Sequence, residues 1–163
     1  MGIMSELRTN KIYPRDGLPS GANGGIVQIV RASSSTTIQV TSNTDTDIIS
    51  ATITPTSSSN KILISISVNS CRSYVSANNR ARLRNKILRG STLVHTIQEV
   101  PQYRNLNFAS SSVEINIPLF FDYLDSPATT SAVTYRYQWG SEGGQNFNTA
   151  NQAYNITLME VSG

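Results

Sequence analysis

The sequence contains little of the chemistry on which most metal proteins and enzymes depend. Among its 163 residues there is one cysteine, Cys71, and one histidine, His95. A single cysteine forms no intrachain disulfide and no thiolate cluster. A zinc site would have to combine Cys71 and His95 with carboxylates, which is a weak ligand set. We therefore expect no metal and no cofactor.

Acidic residues are also few, with 10 Asp and Glu in total. A carboxylate pair for glycoside hydrolysis leaves no mark in a linear sequence, but so small a number argues against one. Asp45 and Asp47 could offer oxygens to a calcium ion. The string around them lacks the glycine and distal glutamate of a calcium loop, and solvated acids in a turn are the simpler interpretation. The sequence favours a protein that is not an enzyme.

Charge is sparse in general, because charged residues make up 14% of the chain against roughly 25% in ordinary soluble domains. The net charge of +3 falls short of the clustered basic excess that nucleic-acid binding requires. No apolar run approaches the length of a membrane span, so we expect no membrane insertion. The first residues lack the apolar core of a signal peptide. Serine, threonine and asparagine fill the gap, and they suit sheet and turn better than helix.

What the sequence does contain is alternation with a period of two. From Val133 to Trp139, one face collects an apolar residue and three large rings: Val133, Tyr135, Tyr137 and Trp139. Successive side chains of a strand point to opposite faces, so this segment predicts a strand with one strongly apolar face. The position of this strand near the chain's end suggests that Tyr135 packs the core. We interpret Tyr137 and Trp139 as candidates for a subunit contact or an exposed tip.

Similar alternation, broken by polar turns, recurs along residues 25–163 and predicts eight or nine short strands without a helix. This pattern is typical of an antiparallel β-sandwich, most simply a jelly roll. Pro118 lies within one alternating segment and predicts an edge strand or a bulge, because proline cannot donate to the ladder. We expect loops at 101–112 and 140–151. The predicted strands are 25–32, 36–41, 47–54, 61–69, 80–89, 92–100, 113–123, 133–139 and 154–161.

Residues 1–24, which we call the N-terminal arm, have a different composition. Prolines and glycines punctuate the segment after Tyr13, and such a segment buries too little apolar surface to offset its ordering entropy. We expect the arm to be held by a neighbouring subunit or a larger assembly.

Two sets of residues are candidates for binding surfaces. Arg80, Arg82, Arg84 and Lys86 alternate along one strand face. Either the face is solvated, or the cations meet acids of a partner chain or an anionic polysaccharide, because like charges on one face repel. Amide and aromatic residues in the predicted loops suit contact with a host polysaccharide, where rings stack on sugars: Tyr103, Asn105, Gln145, Asn146 and Phe147.

Several short motifs resemble segments of small structural proteins from cyanobacterial and other marine tailed phages. They are Ser5-Glu6-Leu7-Arg8-Thr9-Asn10-Lys11-Ile12, Ser59-Asn60-Lys61-Ile62-Leu63-Ile64, Leu124-Asp125-Ser126-Pro127 with Thr130 to Tyr135, and Ile156-Thr157-Leu158-Met159-Glu160-Val161. The resemblance implies a tumour-necrosis-factor-like jelly roll that forms homotrimers on virion surfaces and at tail-fibre tips, and it supplies no catalytic residue. In such a protein the arm would attach to the particle, through Leu7, Arg8, Asn10, Lys11, Ile12 and Tyr13.

Three functions remain open at this point. The first is a short homotrimeric tail fibre or fibre tip, anchored by its arm to tail or baseplate proteins and assembled into the virion in the host cytoplasm. Arg80, Arg82 and Arg84, with Tyr137 and Trp139, would form its subunit interface. The second is a capsid decoration protein that clamps the capsid lattice as a trimer, which the absence of a fibre shaft favours. The third, a polysaccharide-degrading enzyme, has the least support.

Overall fold

The structure, a computed structural model, describes residues 25–41, 43–76, 81–97, 101–103, 112–142 and 145–163. Within those ranges the backbone is strand, turn or irregular, without a helix. The strands are β1 (Ile26–Ser34), β2 (Gln39–Val40), β3 (Thr46–Ile53), β4 (Lys61–Ser76), β5 (Ala81–Arg89), β6 (Thr92–Ile97), β7 (Gln102–Tyr103), β8 (Ser112–Asp125), β9 (Val133–Glu142), β10 (Asn146–Asn148) and β11 (Tyr154–Val161).

The first sheet is built around β4, which is 16 residues long. On one side β4 pairs with β8 along nearly its whole length. On the other side its first half pairs with β11 and its second half with β10. β1 pairs with β11, so the strand order across this half of the sheet is β1-β11-β4-β8. Beyond the end of β11, the short strand β10 lies beside β4 instead, and the short strand β2 pairs with β10.

The second sheet has the order β3-β9-β5-β6, and β7 pairs with the start of β5. All these pairs are antiparallel. Counting only the eight long strands along the chain, the orders are first-eighth-third-sixth and second-seventh-fourth-fifth. Two sheets interleaved in this way, as two Greek keys, form a jelly roll. The predicted all-β jelly-roll sandwich is confirmed.

The face of β9 that carries the large rings lies inside the sandwich. Tyr135, Tyr137 and Trp139 each have a relative exposure of 0%. The rings of Tyr137 and Trp139 meet edge to face, with centroids 6.3 Å apart, and Phe121 of the opposite sheet lies 6.2 Å from Tyr137. The prediction that Tyr135 packs the core is confirmed. The prediction that Tyr137 and Trp139 form a subunit contact or an exposed tip is wrong, because the two sheets of one chain already enclose both rings.

Pro118 produces both features that its position predicts. β8 lies at the edge of the first sheet, with β4 as its single strand partner among the described residues. Val68 is opposite Leu119 and Cys71 is opposite Ile117, so two residues of β4 face the single Pro118. This is a β-bulge, which places the residue without an N–H where the ladder is already interrupted.

The sequence prediction missed two short strands and the upper half of β4, and it made a third short strand, β2, too long. β10 lies in the predicted loop 140–151, β7 lies in the predicted loop 101–112, and β2 replaces a longer predicted strand. The predicted strand 61–69 ends at the bulge, where the alternation changes phase: even-numbered residues face inward up to Val68, and Cys71 and Ser73 face inward beyond it. A period-two pattern does not survive such a phase change.

The two ends of the sandwich differ, and we name them by their connections. The arm end contains Gly25, the turn 54–60, the turn 126–132 and the C-terminal residue Gly163. The loop end contains β2, β7, β10 and the connections on either side of them. β4 spans both ends, and its 16 residues correspond to roughly 50 Å at about 3.3 Å per residue.

We predict that Trp139→Ala lowers the free energy of unfolding by about 3–5 kcal/mol, because it leaves a large cavity between the sheets. Chemical denaturation of the purified chain measures this loss. Phe120→Ala is the matched control, since Phe120 is 67% exposed and its truncation should change stability by no more than about 0.5 kcal/mol. A Trp139→Ala variant that keeps its stability but changes its oligomeric state would restore the subunit interpretation.

Candidate functional site: the arm end and the loop end

A buried carboxylate, Glu160 of β11, ties the arm end together. Its relative exposure is 0%. Oε1 accepts hydrogen bonds from the Thr56 backbone N–H and hydroxyl at 2.7 and 2.8 Å and from Asn60 Nδ2 at 2.6 Å. Oε2 accepts one from Gln28 Nε2 at 2.5 Å. One side chain therefore joins β1, β11 and the turn between β3 and β4.

These donors determine the ionisation of Glu160. Burial alone raises the pKa of a carboxyl group, because the charged form loses its water. Here the hydrogen bonds from Asn60, Gln28 and Thr56 outweigh burial and lower the pKa of Glu160 from 4.5 to about 2. The group is therefore a charged structural acceptor near neutral pH, unlike the general acids of enzymes, whose pKa values are raised toward neutrality.

A second polar cluster at the arm end connects the two sheets. Asp125, the last residue of β8, is 7% exposed and accepts a hydrogen bond from the Tyr135 hydroxyl at 2.6 Å. Arg89 Nη1 donates to the same carboxylate oxygen at 2.9 Å. Burial, followed by the hydrogen bond to Asp125, raises the pKa of Tyr135 above its ordinary value. The tyrosine stays protonated and donates across the sandwich, so this cluster also stabilises structure.

The predicted basic stripe lies on the outer face of the second sheet, where it meets acids of the same chain. Arg84 contacts Asp45 at 3.1 Å and Glu142 at 3.4 Å, Lys86 contacts Asp45 at 2.5 Å, and Arg82 contacts Glu142 at 3.6 Å. Asp45, just before β3, and Glu142 of β9 thus supply acids of the same chain to Arg82, Arg84 and Lys86. The assignment of Arg82 and Arg84 to a subunit interface stays a prediction. Arg80 lies outside the described residues.

Gly140 makes room for this network. It lies opposite Arg84 in the β5–β9 pair, and a Cβ at this position would be 2.5 Å from Asp45 Oδ1 and 2.6 Å from Arg84 Nη2. The Arg84 side chain therefore crosses β9 over the glycine to reach Asp45. Glycine is unfavourable within a strand, and the close approach of the arginine explains its presence here.

Asp47 engages a second pair of residues on the same face. Arg136 Nη1 lies 3.2 Å from Asp47 Oδ2, and Gln138 Nε2 donates to Oδ1 at 2.7 Å. Asp45 and Asp47 are thus each used by side chains of neighbouring strands. Among the described residues, no group of three or more His, Cys, Asp and Glu is placed to hold a metal ion.

At the loop end, the outer face of the first sheet carries an exposed tyrosine surrounded by polar side chains. Tyr74 is 44% exposed, and the Arg72 guanidinium carbon lies 5.7 Å from its ring centroid. Tyr74 pairs across the sheet with Asn146 on one side and Glu114 on the other, and Arg72 approaches Glu114 at 3.8 Å. We call Tyr74, Arg72, Glu114 and Asn146 the Tyr74 cluster.

The predicted polysaccharide-contact residues divide into three groups. Asn146 is exposed and Gln145 is half-buried at the loop end, as a contact surface requires. Phe147 has a relative exposure of 0%, so its assignment as a contact residue is wrong: it faces inward on β10. Tyr103 belongs to β7, and Asn105 lies outside the described residues, as do the arm residues 7–13.

Sequence analysis missed Tyr74 and Arg72 because the predicted strand ended at Asn69. Residues 71–75 do not alternate apolar and polar side chains, so the sequence offered no signal that the strand continues to Tyr74.

The two residues with catalytic potential in other proteins are used in packing. Cys71 is 1% exposed, and burial raises the pKa of its thiol to about 12. The ring of His95 stacks on Tyr123 with centroids 4.5 Å apart, which joins β6 to β8 at the edge of the sandwich. No helix in the described part of the chain has the length and hydropathy to cross a membrane.

We predict that Glu160→Gln removes part of the acid sensitivity of the fold. Because the folded-state pKa is lowered from 4.5 to about 2, ionised Glu160 stabilises the fold above pH 4.5, and this stabilisation is lost as the pH falls toward 2. The variant should lose on the order of 2 kcal/mol near neutral pH and show a shallower decline between pH 4.5 and 2. Unfolding free energies measured across this range test it.

Glu114→Gln is the control for that experiment, because Glu114 lies on the same sheet with a side chain 47% exposed. Its decline with acid should follow that of the unmodified chain. Parallel declines for Glu160→Gln and the unmodified chain would show that Glu160 contributes no pH-dependent stability.

We also predict that the effect of Gly140→Ala depends on Arg84. In the unmodified chain the new methyl group displaces the Arg84–Asp45 pair and should lower stability by about 1 kcal/mol. In an Asp45→Ala/Arg84→Ala background both side chains that the new methyl group would meet are gone, and replacing a strand glycine by alanine should raise stability by roughly 0.5–1 kcal/mol. A double-mutant cycle measures the difference, and equal effects in both backgrounds would contradict the proposed role of Gly140.

Comparisons with known proteins find only distant structural likenesses. No family model and no curated protein matches the chain. Among solved structures, the chain is similar to the protein of the infectious bursal disease virus particle, with 7% identity and a TM-score of 0.41 over 85% of this chain and 38% of that one. The VP2 subviral particle of the same virus gives 10% identity and a TM-score of 0.37 over 84% and 40%. This chain thus spans about two fifths of those chains, and likenesses this distant carry no inference about function.

Proposed function

We propose that this chain is a non-catalytic structural protein of a phage particle, a short homotrimeric tail fibre or fibre tip. The observation that carries the proposal is the difference between the two ends of the jelly roll. The N-terminal arm joins the sandwich at one end, and the polar connections that suit surface contact lie at the other.

The junction of the arm with the sandwich is well fixed. Ser162 donates its backbone N–H to Gly25 O at 2.9 Å, and the Gly25 N–H donates to Ser162 Oγ at 3.1 Å. The arm therefore leaves beside the end of β11, close to the Glu160 cluster. Roughly 40 Å of β4, from Lys61 to Tyr74, separates this junction from the Tyr74 cluster. A protein that attaches by one end and contacts a host by the other needs this arrangement.

The chemistry of the described surface supports contact without catalysis. The carboxylates of Glu160, Asp125 and Asp45 are each held by two or more donors. These hydrogen bonds and ion pairs fix the carboxylates as structural acceptors within the sandwich. At the loop end, the exposed ring of Tyr74 and the amide of Asn146 offer stacking and hydrogen bonds, which a neutral or anionic host polysaccharide can use.

The alternative, a capsid decoration protein, is favoured by one observation. β1 begins at Ile26, directly after residues 1–24, and no shaft of repeats lies between the arm motif at 5–12 and the jelly roll. A compact trimer of this kind suits a lattice as well as a tail. The resemblance of the arm motif to tail-fibre proteins is the reason for preferring the fibre.

Electron cryomicroscopy of the phage that encodes the chain tests the proposal. We expect three copies around a symmetry axis at the tail, with the arm end toward the particle and the Tyr74 cluster outward. Density on the capsid lattice would replace the fibre with the decoration protein. Sedimentation of the purified chain should give a trimer whose thermal stability rises with concentration, and a monomer at all concentrations would contradict the trimer.

Binding to host cells tests the outward end. The double variant Tyr74→Ala/Asn146→Ala should lower binding of the purified chain by tenfold or more, since stacking contributes about 0.5–1.5 kcal/mol and a hydrogen bond a similar amount. Leu93→Ala is the control, because Leu93 is also exposed, at 51%, but lies beside the β5–β6 turn at the arm end. Equal binding by both variants would remove the Tyr74 cluster from the contact.

A further inference from the structure

At the arm end, the outer face of the first sheet carries a row of apolar side chains that no part of the described chain covers. The cross-strand register places Ile29, Met159, Leu63 and Leu124 side by side across β1, β11, β4 and β8. Ile29 is 59% exposed and Leu124 is 48% exposed. We call these four residues the apolar row.

The row is confined to this level of the sheet. One level toward the loop end, the outward residues are Arg31, Thr157, Ser65 and Asp122, and the level after that is Ser33, Asn155, Ser67 and Phe120. Phe120 is therefore a single exposed ring among polar neighbours, which is common on protein surfaces. Toward the arm end the apolar surface continues instead, because Ile26 and Val27 are 59% and 47% exposed. Ile26, Val27 and the apolar row therefore form one contiguous exposed apolar patch, and covering such a patch with another apolar segment is favourable.

The size of the row decides what can cover it. Three gaps between neighbouring strands make it about 14 Å wide, and one side-chain repeat makes it about 7 Å deep, which is on the order of 100 Å². A stable subunit interface needs roughly 800 Å² from each partner. The row is too small for that purpose but can hold part of one extended segment, because about four or five residues cross its width.

A segment with suitable chemistry lies within reach. Residues 7–13 of the arm include Leu7, Ile12 and Tyr13, and eleven residues, 14–24, connect them to Gly25. Eleven residues extend to at most about 40 Å. Because Gly25 is fixed beside Ser162 at the same end of the same sheet, this connection is more than long enough to cross the row. A tethered segment also binds at a high effective concentration, so even a weak contact is populated.

We propose that the apolar row is the docking site for residues 7–13 of the same chain before the protein assembles. The arm segment that we expect to bind the particle is then held on the protein's own surface, and docking and anchoring compete for it. Ile29 and Leu124 form the two ends of the site, with Leu63 and Met159 between them. The docking does not require the proposed function, because the isolated chain contains all of the parts.

A nitroxide label on the arm of the full chain tests the proposal directly. Asn10→Cys places a reactive thiol between Leu7 and Ile12, while Cys71 is 1% exposed and is expected to stay unlabelled. Amide signals of Ile29, Leu63 and Leu124 should broaden in the labelled protein, and those of Arg72 and Tyr74 at the loop end should not. Equal broadening at both ends, or none at either, would overturn the proposal.

Variants of the row and the arm separate docking from chance proximity. Ile29→Ser/Leu124→Ser should abolish the broadening, and so should Leu7→Ser/Ile12→Ser in the arm. Phe120→Ser is the matched control on β8 and should preserve it. Broadening that survives the row variant would contradict the assigned site.

Dilution establishes which copy's arm is bound. Isotope-labelled, nitroxide-labelled chains mixed with a large excess of unmodified chains should keep their broadening if the arm docks on its own sheet. Loss of broadening on dilution would mean that the arm docks on a neighbouring copy and would overturn the intrachain proposal. No phage particle is present in any of these measurements, so a failure of the docking and a failure of the virion assignment are distinguishable.

Discussion

The bulge in β4 is the local feature on which the rest of the sandwich depends. Without the bulge, even-numbered residues would face inward along all 16 residues of β4. Cys71 and Ser73 would then point outward, and Arg72 and Tyr74 would point into the core. Two residues opposite Pro118 change the phase, so Cys71 continues the inner face that Val68 ends. β8 follows β4 past the bulge, and β10 and β2 can then extend the sheet toward the loop end.

The parts of the fold that were predictable are those where one rule acts alone. The alternation in β9 and in the first half of β4 gave both the strands and their inner faces, because burial on one side selects a period of two. The upper half of β4 was not predictable, because no residue type within β4 indicates a bulge. The one indication is Pro118, which lies on the partner strand β8. Phe147 was wrongly predicted to be exposed for a related reason. The three-residue strand β10 lies within a segment rich in Gly and Asn, which predicted a loop.

The candidate sites were harder to predict, because they depend on which strands become neighbours. Alternating Arg82, Arg84 and Lys86 on β5 correctly indicated one basic face, but not that Asp45 and Glu142 would lie beside it. That proximity follows from the strand order β3-β9-β5, which brings Asp45 and Glu142 beside cations that are distant from them in the sequence. Gly140 indicates a close approach only once it is known to lie within β9, and the sequence analysis placed it in the predicted loop 140–151.

The outer faces of the two sheets differ in whether their side chains have partners within the chain. On the outer face of the second sheet, each cation among the described residues has a carboxylate of its own chain beside it. On the outer face of the first sheet, the sandwich itself cannot bury the apolar row. Turning these side chains inward would turn the present core residues of the same strands outward. Burial of that row must therefore come from outside the sandwich, and the chain preceding Gly25 starts where the row lies. Docking on the apolar row and anchoring to the particle then use the same short segment, residues 7–13. The surface that binds this segment more tightly determines which of the two occurs.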